Sequence, residues 1–355
     1  MKSSTGKYYV GLDHIRGIAA FMVFTWHFVH INNGHLAAPP YFPLSLLTEG
    51  HTGVALFMTL SGYLFAKLLA GKNIKFRYFI WNRFLRLAPL LFLVVFIVGV
   101  QLILAGLDPL SYAKFMFLGV IKPVLPNGGW SITVEFHFYL ILPLLLFMSR
   151  KSSGLLMLFV VGAILLRLFL YVQDGSVQNL AYLTIIGRID QFVFGILAYQ
   201  YRDFFKGRHL LALAIFLGFS AFFWYFDSLG GFYKSSSYPS PSSVWIYMTT
   251  VEGIVYASLI AWYDNSFNHS SGRFSRFLAL VGTYSYSIYL LHFFFVFELA
   301  KFIDAHVISL SNYYLSMLFA PLAFLVMIPF GWASYRFVES PFLKFRTWYI
   351  LADKS

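Results

Sequence analysis

Ten long apolar stretches follow one another along this 355-residue chain, and they constrain its fold more than any other feature. A helix of about 20 apolar residues, rising 1.5 Å per residue, crosses the ~30 Å hydrocarbon core of a bilayer. With 59% hydrophobic and 11% charged residues, the chain is also too apolar for a soluble domain. We therefore predict an all-α polytopic membrane protein with a single transmembrane domain over residues 1–355. Its expected spans lie near 14–33, 51–68, 79–105, 130–148, 154–172, 180–200, 209–227, 244–263, 277–300 and 313–335.

The lysines and arginines are distributed unevenly between the two ends of these spans. Of the 26, 19 flank one set of ends, three lie within spans, and the opposite segments hold only Lys114, Lys122, Lys234 and Lys301. Cytoplasmic segments carry the excess of basic residues in membrane proteins, so both termini are predicted to be cytoplasmic. The formal net charge of +12 is therefore a topology signal, and we expect no nucleic-acid partner.

Two ionisable residues, Arg16 and His27, interrupt the first span. Eleven steps along a helix return almost to the same face, after a rise of roughly 16 Å. Ionisable groups survive in lipid when they are paired or face a polar cavity. Taken separately, Arg16 suits a positive-inside anchor and His27 suits a hydrogen bond between helices. Together they predict a cavity that runs from the inner membrane surface to the depth of His27.

The fourth span places Glu135 at the estimated depth of His27. Each lies about five residues, or roughly 8 Å, below the outer end of its span. A histidine and a carboxylate at one depth can form a general base and its orienting partner. Tyr139, four residues after Glu135, shares its helix face. The alternative for Glu135 is a structural ion pair with Arg167 of the fifth span.

Two further groups of polar residues lie within spans. A charge-balanced structural network is the favoured interpretation of the first group, and a proton relay is the alternative. That group comprises Arg188, Asp190 and Glu252. The second group recurs every three residues in the ninth span and either packs against a neighbour or lines a cavity wall. It comprises Tyr286, Tyr289 and His292.

Arg83 and Arg86 lie three residues apart on one face, at the cytoplasmic end of the third span. They suit a positive-inside signal, but paired guanidiniums also suit phosphate oxygens. Arg16 lies at the same membrane surface. A clamp there, opening into a channel towards His27, would fit a ligand with a phosphorylated head and a thin acyl arm, such as a coenzyme A thioester. The chain has no cysteine and no H-E-x-x-H pattern, and we predict no metal site.

Seven segments in order resemble the acyltransferase-3 family of bacterial membrane O-acyltransferases. The sequence GLDHIRGIAAFMVFTWHF resembles the opening signature, with Arg16 and His27 as its R-x10-H pair. GVALFMTLSGYLFA resembles the second-helix signature around Ser61, and Arg83 with Arg86 matches R-x-x-R. WSITVEFHFYLILP matches W-S-x-x-x-E, and GRIDQFVFG, YSYSIYLLH and FVESPF also fit.

The resemblance implies transfer of an acyl group, often acetyl, from cytoplasmic acyl-CoA to a hydroxyl of a glycan or glycolipid. It implies a multi-pass protein of the bacterial inner membrane. Many members carry a fused C-terminal hydrolase-like domain, and we expect this chain to depart from them as a stand-alone form. His27 would be the general base and Glu135 its partner, although a covalent acyl intermediate on Ser61 or His27 stays open. Ser340 stands where many members have arginine. The implied donor site comprises Arg16, Arg83, Arg86 and Ser61, and the implied substrate cavity comprises Trp130, Ser131, Tyr139, Tyr286, Tyr289 and His292.

The rival function from another class is that of a transporter or flippase. Its basis is the buried group of Arg188, Asp190 and Glu252, which could carry protons. No inverted repeat is evident in the sequence to support it. Release of free CoA in the presence of acceptor separates the two, since a transporter does not consume thioester.

Overall fold

The computed structural model describes residues 9–30, 40–233, 237–269 and 272–351, and these ranges are helical with no β-strand. The predicted all-α class is confirmed. Lys2, Lys7, Lys234 and Lys354, which contribute to the charge pattern, lie outside the described residues. The described ranges contain ten helices of 16 or more residues: α1 Val10–Val29, α2 Gly53–Leu69, α3 Phe76–Leu104, α4 Trp130–Lys151, α5 Ser153–Asp174, α6 Ile185–Gln200, α7 His209–Ser228, α8 Met248–Ser266, α9 Arg273–His306 and α10 Tyr313–Ser334.

Shorter elements connect the long helices. They are single turns or short helices, and they cover Ser45–Thr48, Gly50–Thr52, Pro109–Leu118, Gln178–Leu183, Arg202–Phe205, Ser243–Ile246, Tyr335–Glu339 and Phe342–Phe345. In Pro109–Leu118 the Asp108 side chain accepts a hydrogen bond from the backbone N–H of Ser111, a normal N-terminal cap. This backbone bond also lowers the pKa of Asp108.

Six helical segments among the described residues are long and apolar enough to cross a membrane. They are Gly50–Leu69, Phe76–Leu104, Trp130–Lys151, Ser153–Asp174, His209–Ser228 and Tyr313–Glu339. The other four long helices, α1, α6, α8 and α9, fall short of that combination of length and apolarity. They carry several of the polar residues singled out in the sequence, and buried residues make up most of α1 and α6, about half of α8 and the middle of α9. Helices shielded from lipid by other helices need less apolar surface of their own.

The inner helices approach one another closely through small residues. A Cβ atom built on Gly62 of α2 would lie 2.2 Å from the carbonyl oxygen of Phe192 in α6. A Cβ atom on Gly195 of α6 would lie 2.2 Å from the carbonyl oxygen of Thr59 in α2. The two backbones therefore cross where each contributes a glycine, a typical packing of membrane helices. This crossing fixes the orientation of α2, which carries Ser61.

A hydrogen-bonded ionic network joins α5, α6 and α8. The fully buried Arg167 forms a 2.8 Å ion pair with Asp190 and donates to the carbonyl oxygen of Gly187 at 2.7 Å. Thr249 and Thr250 complete the network around the same two charges. The alternative that Arg167 pairs with Glu135 is therefore wrong. Asp190 lies at the depth of Arg167, and its carboxylate compensates the positive charge of that guanidinium.

The second buried cation, Arg188, has a separate set of partners. It donates to the carbonyl oxygen of Tyr182 at 2.5 Å and to Gln191 at 3.0 Å, and Gln191 in turn donates to Glu252 at 2.9 Å. Its guanidinium also lies 5.3 Å from the ring centre of Trp130. Such hydrogen bonds offset the cost of burying the charge of Arg188, as expected of a structural residue.

Candidate active site

A cavity of about 100 Å³ opens between α1, α2, α3, α4 and α9. Nine of the side chains proposed from the sequence line it: Arg16, Ser61, Arg83, Arg86, Ser131, Glu135, Tyr139, Tyr286 and Tyr289. Five helices separated by up to about 270 residues in sequence supply these polar groups to one space. Three proposed residues, His27, Trp130 and His292, lie beyond this lining.

Glu135 is the carboxylate of the cavity. It accepts hydrogen bonds from the hydroxyl of Ser61 at 3.4 Å and from the hydroxyl of Tyr139. Tyr139 is one turn further along α4, where the i, i+4 spacing brings the two side chains together. Tyr139 is itself buried, so Glu135 is held from two sides while it faces the cavity.

Basic side chains also line the cavity. Arg16 forms a 2.6 Å ion pair with Asp13, one turn earlier in α1, and keeps 29% of its side-chain surface exposed. The guanidinium of Arg83 lies 5.2 Å from the ring centre of Phe65 and 5.6 Å from that of Phe79. These contacts hold the guanidinium over aromatic faces. The buried Nε of Arg83 has no hydrogen-bond partner within the described ranges.

Two residues of the polar stripe of α9, Tyr286 and Tyr289, also line the cavity. The hydroxyl of Tyr286 donates to the carbonyl oxygen of Leu87 at 2.6 Å, and that of Tyr289 donates to the carbonyl oxygen of Gly128 at 3.1 Å. Both tyrosines are thereby fixed against other elements. The ring of His292 lies 5.9 Å from that of Tyr289, and His292 is not part of the cavity lining.

His27 and His292 contact each other directly. Nδ1 of His27 lies 2.9 Å from the carbonyl oxygen of Val23 and 3.2 Å from Nε2 of His292. Nδ1 of His292 lies 2.5 Å from the carbonyl oxygen of Tyr289 and must donate to it. Nε2 of His292 is then an acceptor, so the Nδ1–H of His27 donates to both Val23 and His292. This assignment leaves the lone pair of neutral His27 on Nε2.

The two proposed catalytic residues are therefore not hydrogen-bonded to each other within the described ranges. His27 is oriented by His292, and Glu135 is bonded to Ser61 and Tyr139. The sequence contained a signal for His292, because it continues the three-residue stripe of Tyr286 and Tyr289. It contained no signal that this stripe of α9 would face α1. Asp13, the partner of Arg16, was missed although the spacing of three residues indicates such pairs.

Trp130 lies at the start of α4, away from the cavity wall. Its ring is 4.9 Å from that of Tyr182, and the guanidinium of Arg188 lies over its face. The helix start is fixed nearby, where Ser131 Oγ donates to the carbonyl oxygen of Gly128 at 2.9 Å. Within the described ranges, no three His, Asp or Glu side chains are grouped as metal ligands.

Comparison with known sequences agrees with this arrangement of motifs. The sequence profile of an acyltransferase domain, acyltransferase-3, matches residues 9–336, which is nearly the whole chain. The chain belongs to the acyltransferase-3 family.

Curated relatives of this acyltransferase-3 protein occur in Staphylococcus aureus. Proteins of strains COL and MSSA476, provisionally named as O-acetyltransferases, are each 24% identical to it over 95% of the chain. The chain spans 58% of the length of these relatives. No solved structure matches the chain.

Proposed function

We propose that this protein is a membrane O-acyltransferase that moves an acyl group, acetyl in the simplest case, from cytoplasmic acyl-CoA to a hydroxyl of a cell-surface or lipid-linked glycan. The observation that carries the proposal is one cavity lined by Arg16, Arg83 and Arg86 together with Glu135 and Ser61. Guanidiniums suit the phosphates of the donor, and a carboxylate and hydroxyls suit an acyl-transfer centre.

The donor would bind with its phosphates at the arginines and its thioester arm directed along the cavity. Arg83 is suited to a phosphate oxygen because its guanidinium is fixed over two aromatic rings and its buried Nε–H lacks a partner among the described residues. Phosphate contacts of this kind are charge-assisted and can be bidentate. Ser61 and Tyr139 lie further along, beside the Glu135 carboxylate.

His27 would act as the general base. Its Nε2 takes the proton of the acceptor hydroxyl as the hydroxyl oxygen attacks the thioester carbonyl carbon. The C–S bond breaks as the tetrahedral intermediate collapses, and the protonated His27 returns the proton to the leaving thiolate. The products are an O-acyl ester and CoA as a free thiol. Glu135 would stabilise the positive charge that His27 carries between these steps, and an acyl-enzyme on Ser61 or His27 is the competing route.

The proposal includes a bacterial inner-membrane location, one transmembrane domain, about ten spans and cytoplasmic termini. Contacts between connecting segments support this topology, because segments predicted on the same side meet. On the cytoplasmic side, Arg150 donates to the carbonyl oxygen of Lys72 at 2.8 Å. On the outer side, the backbone N–H of Phe232 donates to Glu49 at 3.1 Å. Reporter fusions after Ser237 and after Asn268 should report opposite sides; the same side for both contradicts ten spans.

The activity is tested with purified protein, acetyl-CoA and candidate glycan acceptors, by measuring free thiol release and acylated product together. His27→Ala should abolish transfer, since a general base contributes about 10²–10⁴-fold. It should keep acyl-CoA binding, because the arginines line the cavity whereas His27 lies beyond its lining. His306→Ala, at the exposed end of α9, is the matched control and should behave as wild type. Near wild-type transfer by His27→Ala would remove the proposed base, and thioester left intact with every acceptor would favour a transporter.

A further inference from the structure

The segment after the last helix returns to the start of α3 and is fixed there by its backbone. Asn82 donates from Nδ2 to the carbonyl oxygen of Thr347 at 2.6 Å and accepts from the N–H of Thr347 at 3.0 Å. The backbone N–H of Lys75 donates to the carbonyl oxygen of Tyr349 at 2.8 Å. Tyr349 is buried against Phe79, with 5.6 Å between ring centres. Residues 345–350 therefore lie beside the R-x-x-R segment.

This arrangement puts Arg346 beside Arg83 and Arg86. Arg346 directly precedes the residue that pairs with Asn82, and Asn82 directly precedes Arg83. Burial, followed by the positive charges of Arg86 and Arg83, lowers the pKa of Arg346 to about 9. The buried Nε of Arg346, like that of Arg83, has no hydrogen-bond partner among the residues described.

The balance of charge around Arg346 calls for an anion. Glu339 lies in the electrostatic field of both Arg86 and Arg346, and it bonds to Ser287. Glu135 lines the same cavity as Arg83 and Arg86, and the two carboxylates still do not neutralise three guanidiniums. Packing like charges together at a partly buried position is unfavourable unless a further anion joins them. Phosphate oxygens match the planar fork of donors that arginine presents.

We propose that Arg346 is a third phosphate-binding guanidinium of the donor site and holds the 3′-phosphate of coenzyme A. This rests on acyl-CoA being the donor. Arg346 is held at the level of Asn82, which precedes Arg86 by four residues, or about 6 Å, along α3. The thioester must enter the cavity, so the adenosine end of the donor lies towards the start of α3. The pyrophosphate then lies at Arg83 and Arg86, and the more highly charged 3′-phosphate lies at Arg346.

The test compares binding of CoA and 3′-dephospho-CoA to the full chain, purified in an uncharged detergent. Wild type should bind CoA more tightly. Arg346→Gln should weaken CoA binding about 10- to 100-fold and leave 3′-dephospho-CoA affinity unchanged, which abolishes the preference. The CoA affinity of Arg346→Lys should lie between those of wild type and Arg346→Gln, because lysine keeps the positive charge but loses the planar fork of donors. Lys344→Gln, an exposed change two residues away, is the matched control and should bind both as wild type does.

Other outcomes overturn the proposal in distinguishable ways. Equal weakening of both ligands, with a lower melting temperature, would make Arg346 a structural residue of the segment. If Arg346→Gln changes CoA binding only in samples that contain phosphatidylglycerol, the Arg346 guanidinium binds a lipid phosphate instead. Equal affinity of wild type for the two ligands would remove the 3′-phosphate contact while leaving the donor in place. Failure of wild type to bind either ligand would remove acyl-CoA as donor, and with it the proposed function.

Discussion

Nε2 of His292 lies 3.2 Å from Nδ1 of His27, and together with the carbonyl oxygen of Val23 at 2.9 Å it places the proton of neutral His27 on Nδ1. His292 can accept there because its own Nδ1–H is committed to the carbonyl oxygen of Tyr289, at 2.5 Å. The backbone of α9, acting through His292, thereby supports the same tautomer of His27 as the Val23 carbonyl of α1 does. A base prepared in this way needs no rearrangement before it accepts a proton on Nε2.

His292→Phe is the first test of this relationship. Phenylalanine keeps an aromatic ring beside Phe293 but removes one of the two acceptors for the Nδ1–H of His27, and leaves the carbonyl oxygen of Val23 as the other. We expect kcat to fall about 10-fold, which is part of the 10²–10⁴-fold that a general base supplies in total. The KM for acyl-CoA should stay near wild type, because His292 does not reach the arginines.

His292→Gln is the matched variant, since its amide oxygen can accept the same hydrogen bond. It should recover part of the kcat lost in His292→Phe. Equal kcat in the two variants, or a parallel loss of kcat and folded protein in both, would mean that His292 only fills space. Steady-state kinetics and melting temperature, measured on the same preparations, decide between these results.

The second prediction concerns the shape of the donor site. Arg83→Lys keeps a positive charge near Phe65 and Phe79 but loses the planar fork, so CoA should bind about 10-fold more weakly. Arg83→Ala should lose about 1.5–3 kcal/mol of binding free energy, the range for hydrogen bonds to charged groups. Arg77→Lys, exposed and nearly two turns earlier in α3, is the control. Unchanged CoA affinity in Arg83→Ala, measured by calorimetry, would rule out the clamp.

The third prediction concerns stability. Asp190→Asn removes the charge that compensates Arg167, whose side chain has 0% of its surface exposed. An uncompensated buried charge costs about 3–5 kcal/mol, so the melting temperature should fall sharply. The double variant Arg167→Met with Asp190→Leu should recover most of the loss, because apolar residues can replace a buried pair. Asp203→Asn, at an exposed position, should leave the melting temperature unchanged. A small effect of Asp190→Asn would show that Arg167 is satisfied by its hydroxyl and carbonyl partners alone.

The sequence predicted which residues gather, but it predicted less well which of them touch. Arg16, Glu135 and Tyr286 lie on the polar faces of otherwise apolar helices. Because polar groups are costly to expose to lipid, such faces turn towards the interior of the bundle. The rotation of one helix against another depends on packing, such as the crossing at Gly62. Spacing within single helices therefore could not predict that His27 meets His292 while Glu135 meets Ser61. Arg346 was not predicted because its segment has no helical periodicity.

The last prediction separates the charge of Glu135 from its shape. Glu135→Gln keeps an oxygen that can accept from Ser61 and Tyr139, so the cavity wall should keep its geometry. The variant removes the negative charge proposed to stabilise protonated His27, so kcat should fall while CoA affinity stays constant or rises slightly. Tyr139→Phe is the complementary variant, because it keeps the charge and removes one donor, and its kcat should fall less. Should Tyr139→Phe lose as much activity as Glu135→Gln, the geometry of the hydrogen bond would matter and the charge would not. Should Glu135→Gln instead lose CoA binding, Glu135 would belong to the donor site.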